Sequence, residues 1–426
     1  MKVLHINTSQ TGGAAMCAIR ISKALSEEGI DSRMLFAEGI SLPDGIKGAI
    51  ATSDNIFWNR NLFLRITKKI LSFTGIWLVD VEKAKHQLNK ANKTRLYIHQ
   101  PLSSFKSITH HPLVEWADII HLHWVTGFID YPTFFKDIKK PIVWTLHDKY
   151  PAVGVMHYSS NFYPIPDNLK KIDALFRRIK RKGVSGAKNL NIVAISEVMI
   201  DICKHSDVLG GYPVTLIHNG VDASLFLHYN KQETRANIDL MPNGKIFLFS
   251  SFFINDPNKG LNRAIAALET IDVPQKTLVC IGSKYEGQQP QCSFPLVFTG
   301  LIKDPIQLSM YYSAADFFLQ CSYEETFSQT PLEAMACGTP VISTPCSGAK
   351  DIIKSFNGVI CRSYDADAIA EGITEGLSRH YNSDEIRQYI VNHFNYNIIA
   401  KQYIKLYMEI TDKIHPLSYY NCKESI

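Results

Sequence analysis

Along the chain, short apolar runs alternate with longer stretches in which apolar residues return every three or four positions. Residues 3–7 form a buried-strand run. The stretch 14–28 behind it sets Met16, Ile19, Ala24 and Leu25 at helical spacing before Gly29 stops it. Further strands are expected at 119–123, 142–146, 192–195 and 215–217. The pattern restarts after about Met241. A strand at 246–250, a helix at 259–268 and a strand at 277–281 are followed by strands at 296–299 and 317–320 around a helix at 306–314. A short helix at 331–337, a strand at 341–343 and a last helical run at 398–410 complete the pattern.

Strands that alternate with helices in this way predict parallel sheets covered by helices. Two such series predict two doubly wound, Rossmann-like α/β domains, with boundaries at 1–215 and 216–397 and a C-terminal helix and tail over 398–426 that returns to the first domain. Ligands of such sheets bind at the carboxyl ends of the strands, which directs attention to an interdomain cleft.

Composition narrows the class. With 426 residues the chain is too long for one ordinary core, and 46% apolar with 20% charged residues is a globular balance. A net charge of +5 without a long single-sign block argues against nucleic acid as a partner. The nine cysteines show no paired spacing, which points to a reducing compartment rather than to disulfides or zinc. The apolar start is too short for a secretory signal, and no run reaches the ~20 residues that span a bilayer. The expected location is cytoplasmic.

Four constellations carry candidate chemistry. Gly12 and Gly13 follow the first strand and open the first helix, where glycine backbone and free amides suit an anion such as a diphosphate. A plain tight turn is the competing reading, and the G-x-G-x-x-G fingerprint is absent. His147 ends the strand that includes Trp144, with Asp148 and Lys149 beside it; it either touches a reacting sugar or caps the strand. His121 and His123 lie on one face of their strand. Their spacing suits a metal, but no third ligand is evident, and a structural or cleft-lining role is favoured. Lys259 precedes a helix and suits donor phosphates, unless it is an ordinary solvated lysine.

The fourth constellation runs from Ser322 to Gly338 and holds Glu325 and Glu333. Thr330 reads as an N-cap, Pro331 as the first helical residue and Gly338 as the stop, which places Glu333 in the first turn. Thr330-x-x-Glu333 then reads as a capping box, a duty compatible with ligand binding because a carboxylate has several acceptor sites. Glu325 has no comparable local duty.

Taken together, these residues resemble the retaining glycosyltransferase family 4, whose fold is the two-domain GT-B architecture. The resemblance rests on Thr11-Gly12-Gly13, on Glu325-x7-Glu333, on the segment 332–342 and on His218-Asn219-Gly220-Val221-Asp222. Within the family, capsule and exopolysaccharide transferases are the most similar. The resemblance implies an acceptor-side first domain and a nucleotide-sugar-binding second domain. Gly12 and Gly13 would lie against the donor diphosphate, and Lys259 would pair with it. Glu333 would bind the ribose, Glu325 would hold the transferred sugar, and the backbone at Phe327 and Ser328 would contact sugar or phosphate. His147 would line the reaction centre. The donor would be a UDP- or GDP-sugar, with no further cofactor and no catalytic metal. The acceptor would be a saccharide, free or polyprenyl-linked, in capsule, exopolysaccharide or lipopolysaccharide synthesis.

Two departures stand out. The arginine that members carry shortly before the lysine is missing from 250–255, leaving Lys259, backbone amides or Ser251 for the phosphates. Ser328 replaces the glycine usual after the phenylalanine. Residues 55–78, with Trp58 and Trp77 among Arg60, Arg65, Lys68 and Lys69, and the basic run Arg177–Lys182 suggest attachment to an anionic membrane surface on the inner face of the cytoplasmic membrane; a solvated helix face is the alternative for each. A non-catalytic sugar-nucleotide-binding subunit and an epimerase are the competing functions.

Overall fold

The computed structural model describes residues 1–51, 99–158, 162–240 and 243–414. The expected amphipathic segment 55–78 lies outside the described residues. The chain forms two compact units. One comprises the described residues within Met1–Ile195, Met199–Ile217 and those from Ala400 on; the other comprises those within Ser196–Val198 and His218–Ile399.

In the first unit, β1 (Lys2–Asn7), β2 (Asp31–Phe36), β3 (Gly48–Ile50), β4 (Ile119–Leu122), β5 (Ile142–Leu146), β6 (Leu190–Ala194) and β7 (Val214–Leu216) form one sheet in the order β3-β2-β1-β4-β5-β6-β7. Every pairing is parallel. β1, β4 and β5 are buried almost throughout, which is why they read as continuous apolar runs. β3, three residues at intermediate burial, has no such run and was invisible to the apolar pattern. Helix α1 (Gly13–Glu27) packs Ala15, Ala18, Ile21 and Leu25 inward. Met16, expected on that buried face, is instead 40% exposed, because the helix turns its alanine and isoleucine side to the sheet.

Helix α2 (Asp167–Val184) carries the basic run and corrects its reading. Lys180 is fully buried, and Arg177 pairs with Asp173 at 3.1 Å and Asp207 at 3.2 Å. Two of the five charges therefore have internal duties, leaving Arg178, Arg181 and Lys182 exposed.

In the second unit, β8 (Lys245–Ser251), β9 (Lys276–Gly282), β10 (Leu296–Gly300), β11 (Phe317–Gln320), β12 (Val341–Ser343) and β13 (Gly358–Ile360) pair in parallel in the order β10-β9-β8-β11-β12-β13. Helices α3 (Leu261–Thr270), α4 (Pro305–Ala314) and α5 (Gln329–Ala336) connect them. The core gathers Phe247, Phe249, Leu261, Leu268, Leu278 and Phe317. The last helix, α6 (Tyr396–Ile414), enters the first unit from Ala400 on. There Tyr407 Oη lies 2.7 Å from His121 Nδ1, and Tyr403 Oη lies 2.8 Å from Thr145 Oγ1. Among the described residues no helix is long and apolar enough to cross a membrane.

Candidate functional site

Each sheet reverses its winding at one place, β1/β4 in the first unit and β8/β11 in the second. At such a point the loops leaving the two strands diverge and open a crevice beyond their carboxyl ends. In the second unit these are the loop after β8, which carries Lys259, and the loop after β11, which carries Glu325. Lys259 Nζ stands 2.5 Å from Glu325 Oε1, and Ser322 Oγ donates to the same oxygen at 2.8 Å.

Backbone pairing through a side chain joins the two loops. Asn258, almost fully buried, accepts from the Glu324 amide at 3.0 Å and donates to the Glu324 carbonyl at 2.8 Å, while the Tyr323 amide donates to the Asn258 carbonyl at 2.9 Å. Gly260 makes the close approach feasible: its φ is +82°, and a Cβ there would stand 2.2 Å from the Cys321 carbonyl oxygen. Arg263, on the first turn of α3, donates to the carbonyls of Cys321 at 2.5 Å and Asn258 at 3.2 Å and stacks on Tyr323 at 3.4 Å. This arginine is committed to holding the loops. Ser251 donates its hydroxyl to the Phe253 carbonyl at 3.0 Å, and Phe252 and Phe253 beside it are both more than half-way exposed or at it, 59% and 50%.

The helix after Glu325 starts earlier than expected. Ser328, not Thr330, is the N-cap of α5, and no side chain caps it. Thr330 is the second residue of the helix, so the capping box does not form and Glu333 lies beyond the first turn. The apolar pattern marked Pro331 as the start because proline favours a first turn, and the first turn already begins two residues before it. Glu333 is buried and accepts from Tyr312 Oη at 3.2 Å. Burial raises the Tyr312 hydroxyl well above its ordinary range, helped by the Glu333 charge, so the tyrosine remains a donor. Phe327 is buried against His218 with ring centroids 5.5 Å apart, and Ser328 Oγ lies 3.3 Å from Thr330 Oγ1.

In the first unit, Gly12 caps α1 with φ 92° and ψ 168°, a conformation open essentially to glycine alone. Open space surrounds the position of a Cβ at Gly12 and at Gly13. His147 follows β5, and its Nε2 lies 3.0 Å from His123 Nδ1. Desolvation lowers the His147 imidazole to about 4 against the opposing pull of Asp148. Burial pushes the Asp148 carboxyl up, but His157, 3.0 Å away, outweighs it together with His99 and the Tyr150 amide and holds the group at about 2. Asp148 is therefore a fixed anion. Lys180 reaches under this loop and donates to the carbonyls of Tyr150, Val153 and Gly154.

The pair His121 and His123 gains a neighbour that sequence reasoning did not find. His5, aligned with His121 in the β1/β4 register, brings three histidines together with ligand atoms within 4.8 Å of one another. Their contacts are hydrogen bonds. His5 Nδ1 and His123 Nε2 are 2.9 Å apart, closer than the roughly 3.3 Å between two nitrogens on one tetrahedral zinc with bonds of about 2.0–2.1 Å. Both nitrogens of His121 already serve Thr145, at 2.8 Å, and Tyr407. Asn258, Arg263, Ser322, Tyr312 and His5 were all missed, and only the alignment of strands and loops far apart in the chain reveals them.

Residues 11–225 match the family model described as Glycosyltransferase Family 4, and residues 230–392 match that of Glycosyl transferases group 1. An uncharacterized glycosyltransferase of Methanocaldococcus jannaschii is 32% identical over 69% of this chain and 76% of its own length. The alpha-monoglucosyldiacylglycerol synthase of Streptococcus pneumoniae is 25% identical over 61% of this chain, a match that spans only 60% of that relative. The GDP-mannose:cellobiosyl-diphosphopolyprenol alpha-mannosyltransferase of Xanthomonas campestris is 28% identical over 64% of this chain and 67% of its own length. Among solved structures, sucrose-phosphate synthase from Thermosynechococcus elongatus superposes with a TM-score of 0.67 at 19% identity, covering 97% of this chain and 99% of that one. Anabaena HepE in complex with UDP-glucose gives 0.63 at 17% identity, covering 96% and 100%. At these identities the structures speak for the fold, which is GT-B.

Proposed function

The chain belongs to glycosyltransferase family 4 and is a glycosyltransferase of GT-B fold, and from that premise we propose that it transfers a sugar, with retention of anomeric configuration, from a UDP- or GDP-sugar to a lipid-linked saccharide. The observation that carries the reading is the Lys259–Glu325 pair at the winding reversal of the second sheet. Breaking the bond between the anomeric carbon and the diphosphate loads charge onto the leaving oxygens. A lysine already oriented by a carboxylate meets that charge without reorganisation. Glu325 holds the transferred sugar, Glu333 the ribose, and the amides at Phe327 and Ser328 the sugar or phosphate.

Gly12 and Gly13 are assigned to the donor diphosphate, His147 to the transferred sugar and Ser251 to shaping the phosphate loop through its bond to Phe253. The acceptor oxygen attacks the anomeric carbon on the face from which the diphosphate leaves, and its proton passes to the departing phosphate oxygen, with no metal required. Residues 1–215 form the acceptor-side domain, 216–397 the donor domain and 398–426 the returning tail. Two relatives named above act on lipid or polyprenyl acceptors by their names, which supports a lipid-linked acceptor and work at the inner face of the cytoplasmic membrane, in polysaccharide assembly.

The test is a screen of nucleotide sugars for binding, then an assay with polyprenyl-diphosphate saccharides and proton NMR of the product's anomeric centre. Transfer with retained configuration, lost in Glu325→Ala while circular dichroism is unchanged, is the expected result. Undiminished turnover in that variant removes Glu325 from the site, and an inverted product removes the retaining mechanism.

A further inference from the structure

Two consecutive residues of the loop after β8 face two consecutive residues of the loop after β11. Asn258 is bonded to Glu324, and Lys259, which follows Asn258, pairs with Glu325, which follows Glu324. The first of these rungs is almost sealed from water, with Asn258 at 1% exposure and Glu324 at 4%. The second is more open, with the Lys259 and Glu325 side chains at 27% and 12%.

That difference in setting decides which rung holds the other. A partly exposed ion pair gains little and must order two long, flexible side chains, so it is a weak tether for two loops. Buried hydrogen bonds are stronger, and breaking them leaves polar groups out of reach of water. Asn258 makes three such bonds to the facing loop. Its Nδ2 donates to the Glu324 carbonyl at 2.8 Å, its Oδ1 accepts from the Glu324 amide at 3.0 Å, and its own carbonyl accepts from the Tyr323 amide at 2.9 Å.

Engaging both the N–H and the C=O of Glu324 fixes the peptide planes on either side of it, and the second plane carries Glu325. On the facing loop, Asp256 fastens the step from Asn258 to Lys259. Its side chain accepts from the Asn258 amide at 2.9 Å, and its carbonyl accepts from the Lys259 amide at 3.0 Å. The chemistry at position 258 is equally specific. One acceptor and one donor are required on a single short planar group, which describes a carboxamide. A carboxylate of the same shape would set an oxygen against the Glu324 carbonyl oxygen.

We propose that Asn258 is a positioning residue for the sugar-transfer reaction: its carboxamide sets the register of the two loops, and that register brings the Lys259 ammonium onto the Glu325 carboxylate before the donor binds. The inference rests on the reading of that pair as the donor site made above. Preorganisation of this kind lowers a barrier because the charge is already in place when the leaving group needs it.

Crystal structures and steady-state kinetics of the unaltered protein, Asn258→Asp, Glu325→Ala and the double variant test this, with UDP-glucose and GDP-mannose as donor probes. In Asn258→Asp, Lys259 Nζ is expected to leave hydrogen-bond reach of Glu325. Ser322 Oγ, on the same loop as Glu325, should keep its bond to Oε1 and so show that this loop is still folded. The kcat should fall about 10²-fold, and adding Glu325→Ala should lower it less than about threefold further, because the same unit is already broken.

Should Asn258→Asp fail to fold, Asn258→Ala introduces no charge and should give the same readings. A loop-fastening role alone would lower the melting temperature and leave the Lys259–Glu325 contact and kcat unchanged, and that result overturns the proposal. So does an undiminished kcat in the Asn258 variant where Glu325→Ala is impaired. Unchanged turnover in Glu325→Ala strikes the donor-site reading instead, and the Lys259–Glu325 distance in the Asn258 variant still decides whether Asn258 sets the register, so the two failures are distinct.

Discussion

Lys259 Nζ and Glu325 Oε1 lie 2.5 Å apart although 66 positions separate them in the chain, and Ser322 donates to the same carboxylate oxygen. The pair joins the loops leaving β8 and β11, and both side chains are partly exposed, 27% and 12%. An ion pair so placed contributes at most about 1 kcal/mol to stability, so its value lies in orientation. Lys259→Met is expected to lower kcat by about 10²–10³, the cost of removing one preorganised charge partner of a leaving group. Glu325→Ala should lower it comparably. The double variant should lose less than the product of the two, because each single change already disrupts the same unit. Steady-state kinetics on the four proteins, with melting temperatures as the control for folding, measure this; strictly multiplicative losses would show that the two residues act independently.

Gly12 and Gly13 separate backbone strain from ligand approach. Gly12 has φ 92° and ψ 168°, so Gly12→Ala should cost about 1–3 kcal/mol of stability. Gly13 is the first residue of α1 with open space around it, so Gly13→Ala should leave stability within about 0.5 kcal/mol. The Gly13 variant should nevertheless raise the donor KM, because its methyl group projects where the diphosphate is assigned. Urea titration and donor kinetics together decide; a normal KM in Gly13→Ala removes that residue from the donor site.

The buried histidines make stability depend on acidity. His5 and His147 are lowered by desolvation from 6.5 to about 3 and about 4, so between those values and 6.5 the unfolded chain binds more protons than the folded one. Stability therefore rises with pH across this window: the contribution is complete above about 6.5 and is lost as pH falls toward 4 and then 3. Each histidine adds a slope of up to about 1.4 kcal/mol per pH unit. Denaturant unfolding from pH 7 to pH 4 should show the decline, and His5→Asn should make it shallower. Asp148, held at about 2, adds a loss only at still lower pH, below its unfolded value of 3.8.

Lys180 is the chief internal brace of the segment that follows His147. It donates to Val153 O at 2.9 Å and Gly154 O at 2.6 Å as well as to Tyr150 O, and its ammonium lies 3.3 Å above the Tyr150 ring. Lys180→Met keeps the stem and leaves three carbonyls without this donor, an expected loss of about 3 kcal/mol or more. Arg178→Met, one turn-face away and exposed, should cost less than about 0.5 kcal/mol. The proposed membrane attachment predicts the reverse pattern for anionic vesicles, with binding reduced in Arg178→Met with Arg181→Met and not in Lys180→Met, because only exposed charges are available to lipid. Equal binding by all the variants removes the basic run from that proposal.

Much of the fold was legible because an element's own residues carry its period. β5, β11 and β12 were expected at the residues where they stand, since strands buried on both faces read as unbroken apolar runs. β2, β3 and β13 escaped, β2 because it opens on the polar Asp31, Ser32 and Arg33 and the other two because each is only three residues long, and the start of α5 was misplaced because proline at 331 imitates a helix beginning. The loops that bear Gly12, His147, Lys259 and Glu325 could likewise be marked as strand ends, because the carboxyl end of a strand is a local property.

The sequence by itself determined the alternation of strands and helices, the two α/β series and the polar residues that sit at strand ends. Only the tertiary structure decided which positions become neighbours: Lys259 with Glu325, Asn258 with Glu324, and His5, inside β1, with His123 and, through it, His147. The physical reason is that strand order is a global outcome of packing. Periodicity says which face of a segment is buried, but a hydrogen bond between residues 66 or 118 positions apart exists only once the sheet has chosen its neighbours.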